Sequence, residues 1–180
     1  EPRTRKGADP ARPIRPGRLE KAFALAAARG HVIHHVRERG YVERPARVGA
    51  LAEGLAALGL FQEIPLRRWK EDHIRAVHDS DFVSYLKAVC EKLHPRRPVY
   101  PYVFPIRRPE RRPKDLALRA GYYCIDTFTP LTSESYQAAR AAVDAALTAA
   151  EELLRGRRVA YALCRPDRKS TRLNSSHRIR

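Results

Sequence analysis

The stretch TSESYQAARAAVDAALTAAEELLRGRRVAYALC, residues 132–164, decides the fold. Thr132 or Ser133 can cap a helix in which Tyr136, Ala139, Val143, Leu147, Ala150 and Leu154 recur at three- and four-residue steps, and Gly156 can end it. Residues 159–164 follow as a short, continuous apolar run, the pattern of a strand buried on both faces in a parallel sheet. A helix, a tight turn and a buried strand in that order predict an α/β architecture. Open α/β sheets gather ligands beyond the C-terminal ends of their strands, which puts Arg165 and Pro166 at the entrance of a site.

Toward the N-terminus, Asp79 or Ser80 can cap a helix whose buried face is Phe82, Val83, Leu86, Val89 and Cys90. Residues 72–78 read as one or two helical turns, and the branched apolar residues of 64–69 as a short strand. Val48, Leu51, Leu55 and Leu58 form a helical stripe expected to face the core, ended by Gly59. Alanine-rich residues 19–28 favour a further helix stopped by Gly30. Residues 1–18 carry Pro2, Pro10, Pro13 and Pro16 among arginines and read as an extended basic arm. Residues 95–114 are too proline-broken for a helix and too apolar for a disordered linker, and are expected to be an ordered surface loop.

Composition bounds the function. With 180 residues, 43% hydrophobic and 31% charged, the chain is neither collagen-like nor wholly disordered and suits one domain. No apolar run approaches the roughly 20 residues that cross a bilayer, and residues 1–21 lack the apolar stretch of a signal peptide. The chain begins at Glu1 and contains no Met, the pattern expected of a fragment. Cys90, Cys124 and Cys164 are odd in number and show no CxxC spacing, so the expected setting is a reducing cytoplasm. A net charge of +16 raises nucleic acid as a partner, but the excess of Arg over Lys beside abundant Ala and Pro is what GC-rich codons produce without selection for phosphate contacts.

Local clusters carry little chemistry by themselves. His31, His34 and His35 have helical spacing for a metal but no carboxylate or thiolate nearby to complete a ligand set. His73 and His78 lack a neighbouring nucleophile. Tyr100, Tyr102 and Phe104, followed by Arg107, Arg108, Arg111 and Arg112, can either stack on bases or pack a proline-rich loop onto the domain; packing is the favoured reading. No glycine-rich phosphate loop is present.

Several segments, in order, resemble the histone deacetylase and acetylpolyamine amidohydrolase superfamily, most closely its bacterial class II-like branch. Glu43-Arg44-Pro45-Ala46-Arg47 is similar to its Glu-x-Pro-x-Arg motif. Val77-His78-Asp79 with Phe82, Val83 and Leu86 follows its next motif, and Tyr102-Val103-Phe104-Pro105, Gly121-Tyr122-Tyr123-Cys124 and Asp126-Thr127 continue it. Tyr161-Ala162-Leu163-Cys164-Arg165-Pro166 is similar to the segment that in the family leads into Pro-Gly-His-His-Ala. Each piece is weak and their joint order is specific.

The resemblance implies a three-layer sandwich around a central parallel sheet, arginase/deacetylase-like and here truncated. It implies a zinc-dependent hydrolase that removes acetyl from acetyl-lysine or from an acetylated polyamine or other small amine, with zinc held by two aspartates and a histidine. None of the zinc ligands or catalytic residues can be placed on this chain, which is therefore expected to be inactive alone. Two binding positions carry over: Arg47, near the inner pocket where acetate leaves, where a buried guanidinium can hold the product carboxylate or else serve as a salt-bridged structural residue, and Tyr123, at the mouth of the substrate tunnel, where some relatives carry an Asp that grips the substrate backbone. A phenol cannot make that contact, which puts peptide-like binding in doubt.

The family pattern breaks at Asp167. One permitted codon choice for residues 167–177 resembles a short-read sequencing adapter. The expected division is therefore an arm at 1–18, the N-terminal part of a deacetylase domain at 19–166, and a non-native tail at 167–180. The competing readings are a basic nucleic-acid-binding module and a pseudoenzyme or scaffold.

Overall fold

The computed structural model describes residues 23–29, 45–102, 104, 110–124, 127 and 130–165. The expected arm at 1–18, the histidines at 31, 34 and 35, Arg107, Arg108, Pro166 and the tail at 167–180 lie outside these residues. Elements run in the order β1 (Phe23–Ala27), α1 (Ala46–Ala57), β2 (Phe61–Glu63), α2 (Asp72–Arg75), α3 (Ser80–Lys92), α4 (Ala120–Tyr123), α5 (Ser135–Leu154) and β3 (Ala160–Leu163).

The three strands form a parallel sheet in the order β2-β1-β3. Phe23 pairs in register with Phe61, and Ala24 with both Gln62 and Ala160. The route from β1 to β2 leaves in one direction and the route from β2 to β3 returns across β1. Right-handed crossovers then place α1 and α5 on opposite faces, giving three layers. Packing agrees: Val48, Ala52 and Leu55 of α1 cluster with Leu25, Phe61 and Leu163, while α5 lies against β1 and β3.

The helix expected over 19–28 is corrected, since Phe23–Ala27 is the central strand. Alanine's helix propensity amounts to at most about 1 kcal/mol per residue over other ordinary residues and needs a long segment to act. Here it is outweighed by two hydrogen-bonded neighbours and cover on both faces. Ala24 and Ala26 are fully buried, and the buried apolar residues of α5 are also alanines, Ala138, Ala145 and Ala149. Small residues on both elements let helix and sheet approach closely.

The strand expected at 64–69 is corrected: β2 is Phe61–Glu63 and ends before that segment. Ile64 donates the last ladder hydrogen bond to the Leu25 carbonyl at 2.9 Å, and Pro65 has no N–H to continue. Residues beyond it are held by α5 instead. The Arg67 amide donates to Thr148 Oγ1 at 3.1 Å and the Trp69 amide to Asp144 Oδ1 at 3.0 Å.

Helix α1 ends as expected, with Gly59 at φ +62°. Its stripe is only partly core, because Leu51 and Leu58 are exposed while Val48 is buried. Helix α3 buries the expected face and Tyr85 in addition; Asp79 at its N-cap makes no side-chain cap hydrogen bond, and Asp81 Oδ1 accepts the first-turn Phe82 amide at 2.9 Å. Its cluster takes in Ala120, Tyr123, Cys124 and Leu131. Val99 and Leu131 exchange backbone hydrogen bonds of 2.8 Å, tying the proline-rich segment to the approach of α5. Tyr100 and Phe104 are half-buried there and Tyr102 is exposed.

Helix α5 ends at Gly156, φ +96°, whose amide donates to the Leu153 carbonyl at 3.0 Å. Its buried face is rotated from the expected one: Ser135, Ala138, Arg140, Asp144, Ala145, Thr148 and Ala149 are buried, while Leu154 is 90% exposed. Its N-cap residue is Glu134, which makes no side-chain cap hydrogen bond, while the Thr132 hydroxyl meets Ser135 Oγ at 3.2 Å.

Candidate functional site

All three strands are parallel, so their C-terminal ends meet at one edge of the sheet. Ala28 and Arg29 follow β1, Ile64 follows β2, and Cys164 and Arg165 follow β3. The connection from β1 leaves toward β2 and the next one returns past β1 to β3, and α/β folds bind ligands beyond such strand ends. The Ala28 amide donates to the Leu163 carbonyl at 2.9 Å and closes the two strand ends together. Arg165 is completely buried beside them. Arg29 forks onto the Glu63 carboxylate with contacts of 2.8 to 3.0 Å, bridging the ends of β1 and β2. Burial pushes the Cys164 thiol above its ordinary range.

Helix α1 runs back antiparallel to β1, so its first turn lies at this same edge. Arg47 is in that turn and is exposed, not buried as its family position implies. The structure thus puts Arg47 and Arg165 on one side of the molecule, one at the surface and one in the interior.

Tyr123 belongs to the other packing unit. It ends α4, is 7% exposed, stacks on Tyr85 with ring centroids 4.8 Å apart, and meets Phe82 at 5.4 Å. Its hydroxyl donates to Asp81 Oδ2 at 3.1 Å. Burial, then the Asp81 charge, push its pKa up to about 12, so it is a neutral donor under ordinary conditions. The same Asp81 oxygen is ion-paired with Arg112. The Tyr85 hydroxyl donates to the Leu116 carbonyl at 3.0 Å, fixing the turn segment before α4. A cleft of about 420 Å³ opens between this segment and α3, lined by Asp81, Ser84, Tyr85, Arg112, Leu116 and Arg119 among others.

Near the start of α5, the Tyr136 hydroxyl donates to Glu71 Oε2 at 2.8 Å and Arg75 Nε to Glu71 Oε1 at 2.8 Å. These bonds hold the Glu71 carboxyl below its ordinary range, the Tyr136 bond contributing most. Deeper along α5, Asp144 receives the Trp69 amide, Arg68 at 3.1 Å and Arg140 at 3.4 Å.

Among the described residues, no group of three or more His, Cys, Asp and Glu side chains converges to hold a metal ion. His73 packs edge-on to Trp69 and His78 tilts against Phe82. Cys90 and Cys124 are buried, Cys164 is half-buried, and none forms a disulfide. Spacing alone did not single out Asp81, Glu71 or Asp144. Their partners lie 42, 65 and 75 residues away in sequence.

Residues 41–168 match the histone deacetylase domain. The chain is similar to acetylpolyamine amidohydrolase 2 of Pseudomonas aeruginosa, 29% identical over 150 residues that cover 76% of this chain and 43% of that protein. It is also similar to the acetylpolyamine amidohydrolase of Mycoplana ramosa, 24% identical over 69% of this chain and 38% of that protein. In structure it resembles the acetylpolyamine aminohydrolase of Burkholderia pseudomallei, with a TM-score of 0.66, 24% identity, and coverage of 81% of this chain and 45% of that one. The chain spans less than half the length of each of these relatives.

Proposed function

The chain belongs to the histone deacetylase family, and from that premise we propose that it supplies the N-terminal part of a zinc-dependent amidohydrolase that removes acetyl from an acetylated amine. The observation that carries the reading is the family match over 41–168, which runs onto the strand-end edge at Arg165. The named relatives point to acetylated polyamines ahead of acetyl-lysine.

Zinc, when bound in this family, polarises the acetamide carbonyl and activates water. Among the described residues no set of side chains converges on a zinc ion; in this reading the ligands come from outside them, and the 180 residues alone are expected not to hydrolyse amides. The contribution of this chain is positional. Arg47 holds the acetate product through a forked pair of hydrogen bonds, and its place in the first turn of α1, at the ligand edge of the sheet, supports that role. Tyr123 borders the substrate path, with its hydroxyl held by Asp81. The thiols, none of them in a disulfide, suit a reducing compartment, and the proposed location is the cytoplasm.

Acetate release from N-acetylputrescine tests the reading. The protein translated from the genomic continuation past Pro166 should release acetate and lose that activity with a chelator; Arg47→Ala should lower it by about 10-fold or more, since a charged hydrogen-bonded contact contributes roughly 1.5–3 kcal/mol. A folded, zinc-loaded parent without hydrolysis would overturn it.

A further inference from the structure

Asp81, Tyr122 and Tyr123 form three sides of a slot around the guanidinium of Arg112. Arg112 Cζ lies 5.3 Å from the centroid of the Tyr122 ring and 6.0 Å from that of Tyr123, and its Nη2 is paired with Asp81 Oδ2. The two tyrosine rings are 4.9 Å apart at 82°, so the cation sits in a corner of π-systems with a carboxylate closing it. The Tyr123 hydroxyl holds that carboxylate at 3.1 Å. Tyr123 itself is braced by Tyr85 and Phe82. The walls are therefore built into packed helices, whereas Arg112 comes from an irregular segment before the turns at 114–119.

Two aromatic rings and one carboxylate are the chemistry that recognises a compact organic cation in general, not a guanidinium in particular. The slot is reachable, because the Arg112 and Asp81 side chains keep 38% and 34% of their surface exposed and both line the 420 Å³ cleft.

We propose that Asp81, Tyr122 and Tyr123 are a binding site for an alkylammonium group, occupied in cis by Arg112, and that an amine ligand enters by displacing this arginine. The proposal rests on the deacetylase reading only for the identity of the ligand, the free amine of an acetylated polyamine. Arg119 also lines the cleft, its guanidinium donating to the carbonyls of Pro113 at 2.8 Å and Lys114 at 3.1 Å. Its charge opposes an incoming cation whether or not Arg112 is present, and Arg112 adds direct competition for the slot. A tethered competitor acts at an effective concentration of about millimolar, and its removal is expected to strengthen binding by about 10-fold.

Calorimetric titration of putrescine into the 180-residue chain at low ionic strength tests this. Arg112→Ala should bind putrescine about 10-fold more tightly than the unchanged chain, and adding Asp81→Asn to it should abolish the gain. Circular dichroism checks the fold; should Arg112→Ala melt, Arg112→Gln keeps the aliphatic stem on the rings and carries the same expectation. Equal affinity with and without Arg112, or a gain that survives Asp81→Asn, overturns the proposal. Hydrolysis is not read, so a failure here leaves the deacetylase reading standing, and an inactive parent protein leaves this site standing.

Discussion

Replacing Asp144 by Ala should undock the segment between β2 and α2 from α5. The Asp144 and Arg140 side chains are each only 6% exposed, and Asp144 Oδ1 takes both Arg140 Nε and the Trp69 amide. Removing one partner of a buried ion pair typically costs about 3–5 kcal/mol, because the other charge stays in the interior. The orphaned Trp69 amide adds about 1–3 kcal/mol if water cannot reach it. Arg68 is 70% exposed, so losing its pair with Asp144 adds little. The terms overlap, since the vacated volume admits some water and the Arg140 charge also acts on the Tyr136 hydroxyl. A loss of about 4 kcal/mol is expected, and for a chain of this size that lowers Tm by about 8–16 °C. Asp144→Asn keeps an acceptor for the amide and should lose about half as much. Trp69 is the single tryptophan, its indole donating to Thr148 at 3.3 Å and lying 5.0 Å beneath Arg67, so its emission reports the docking directly. Urea unfolding followed by this emission is the assay. A loss below about 1 kcal/mol, in the range of an exposed ion pair, would refute the reasoning.

Gly156→Ala should cost about 1–2 kcal/mol because φ is +96° there with no atom within 4 Å of a new Cβ, so the cost is backbone strain alone. Gly54→Ala, inside α1 and equally open, should instead stabilise by about 0.5–1 kcal/mol; paired thermal melts check both signs. The lowered pKa of Glu71 means that its contribution is full above the ordinary value of 4.5 and is lost as pH falls through the lower folded value. Urea midpoints should therefore drop between pH 5 and 3 less steeply in Glu71→Gln than in the unchanged chain. Burial pushes the Cys90 thiol up to about 11, so a thiol reagent at pH 8 should label it only at the rate of unfolding, and mass mapping of the adduct reads that directly.

The legible parts of the fold were those where one local signal and the tertiary context agree. Gly156 and the apolar run after it mark the end of α5 and the start of β3 whatever else packs nearby. The apolar face of α3 likewise follows from helical period alone. Phe23–Ala27 was not legible as a strand because its alanines are small for a reason that lies in α5, more than a hundred residues away. Reading apolar size as burial misplaced the face of α5, where Asp144, Arg140 and Thr148 are buried to hold another segment. At the candidate site, Tyr123 was named only through what its family motif implies, and its binding role is a proposal, whereas Asp81 and Arg112 meet only because an irregular segment folds back over 31 residues.

The most direct measurement is acetate release from N-acetylputrescine by two proteins side by side: the 180-residue chain, and the protein translated from genomic DNA read beyond Pro166. The expected result is no release by the first and chelator-sensitive release by the second. Release by the 180 residues above a metal-stripped control, or none by a folded, zinc-loaded longer protein, contradicts the proposal that this chain positions substrate and product for a site completed elsewhere.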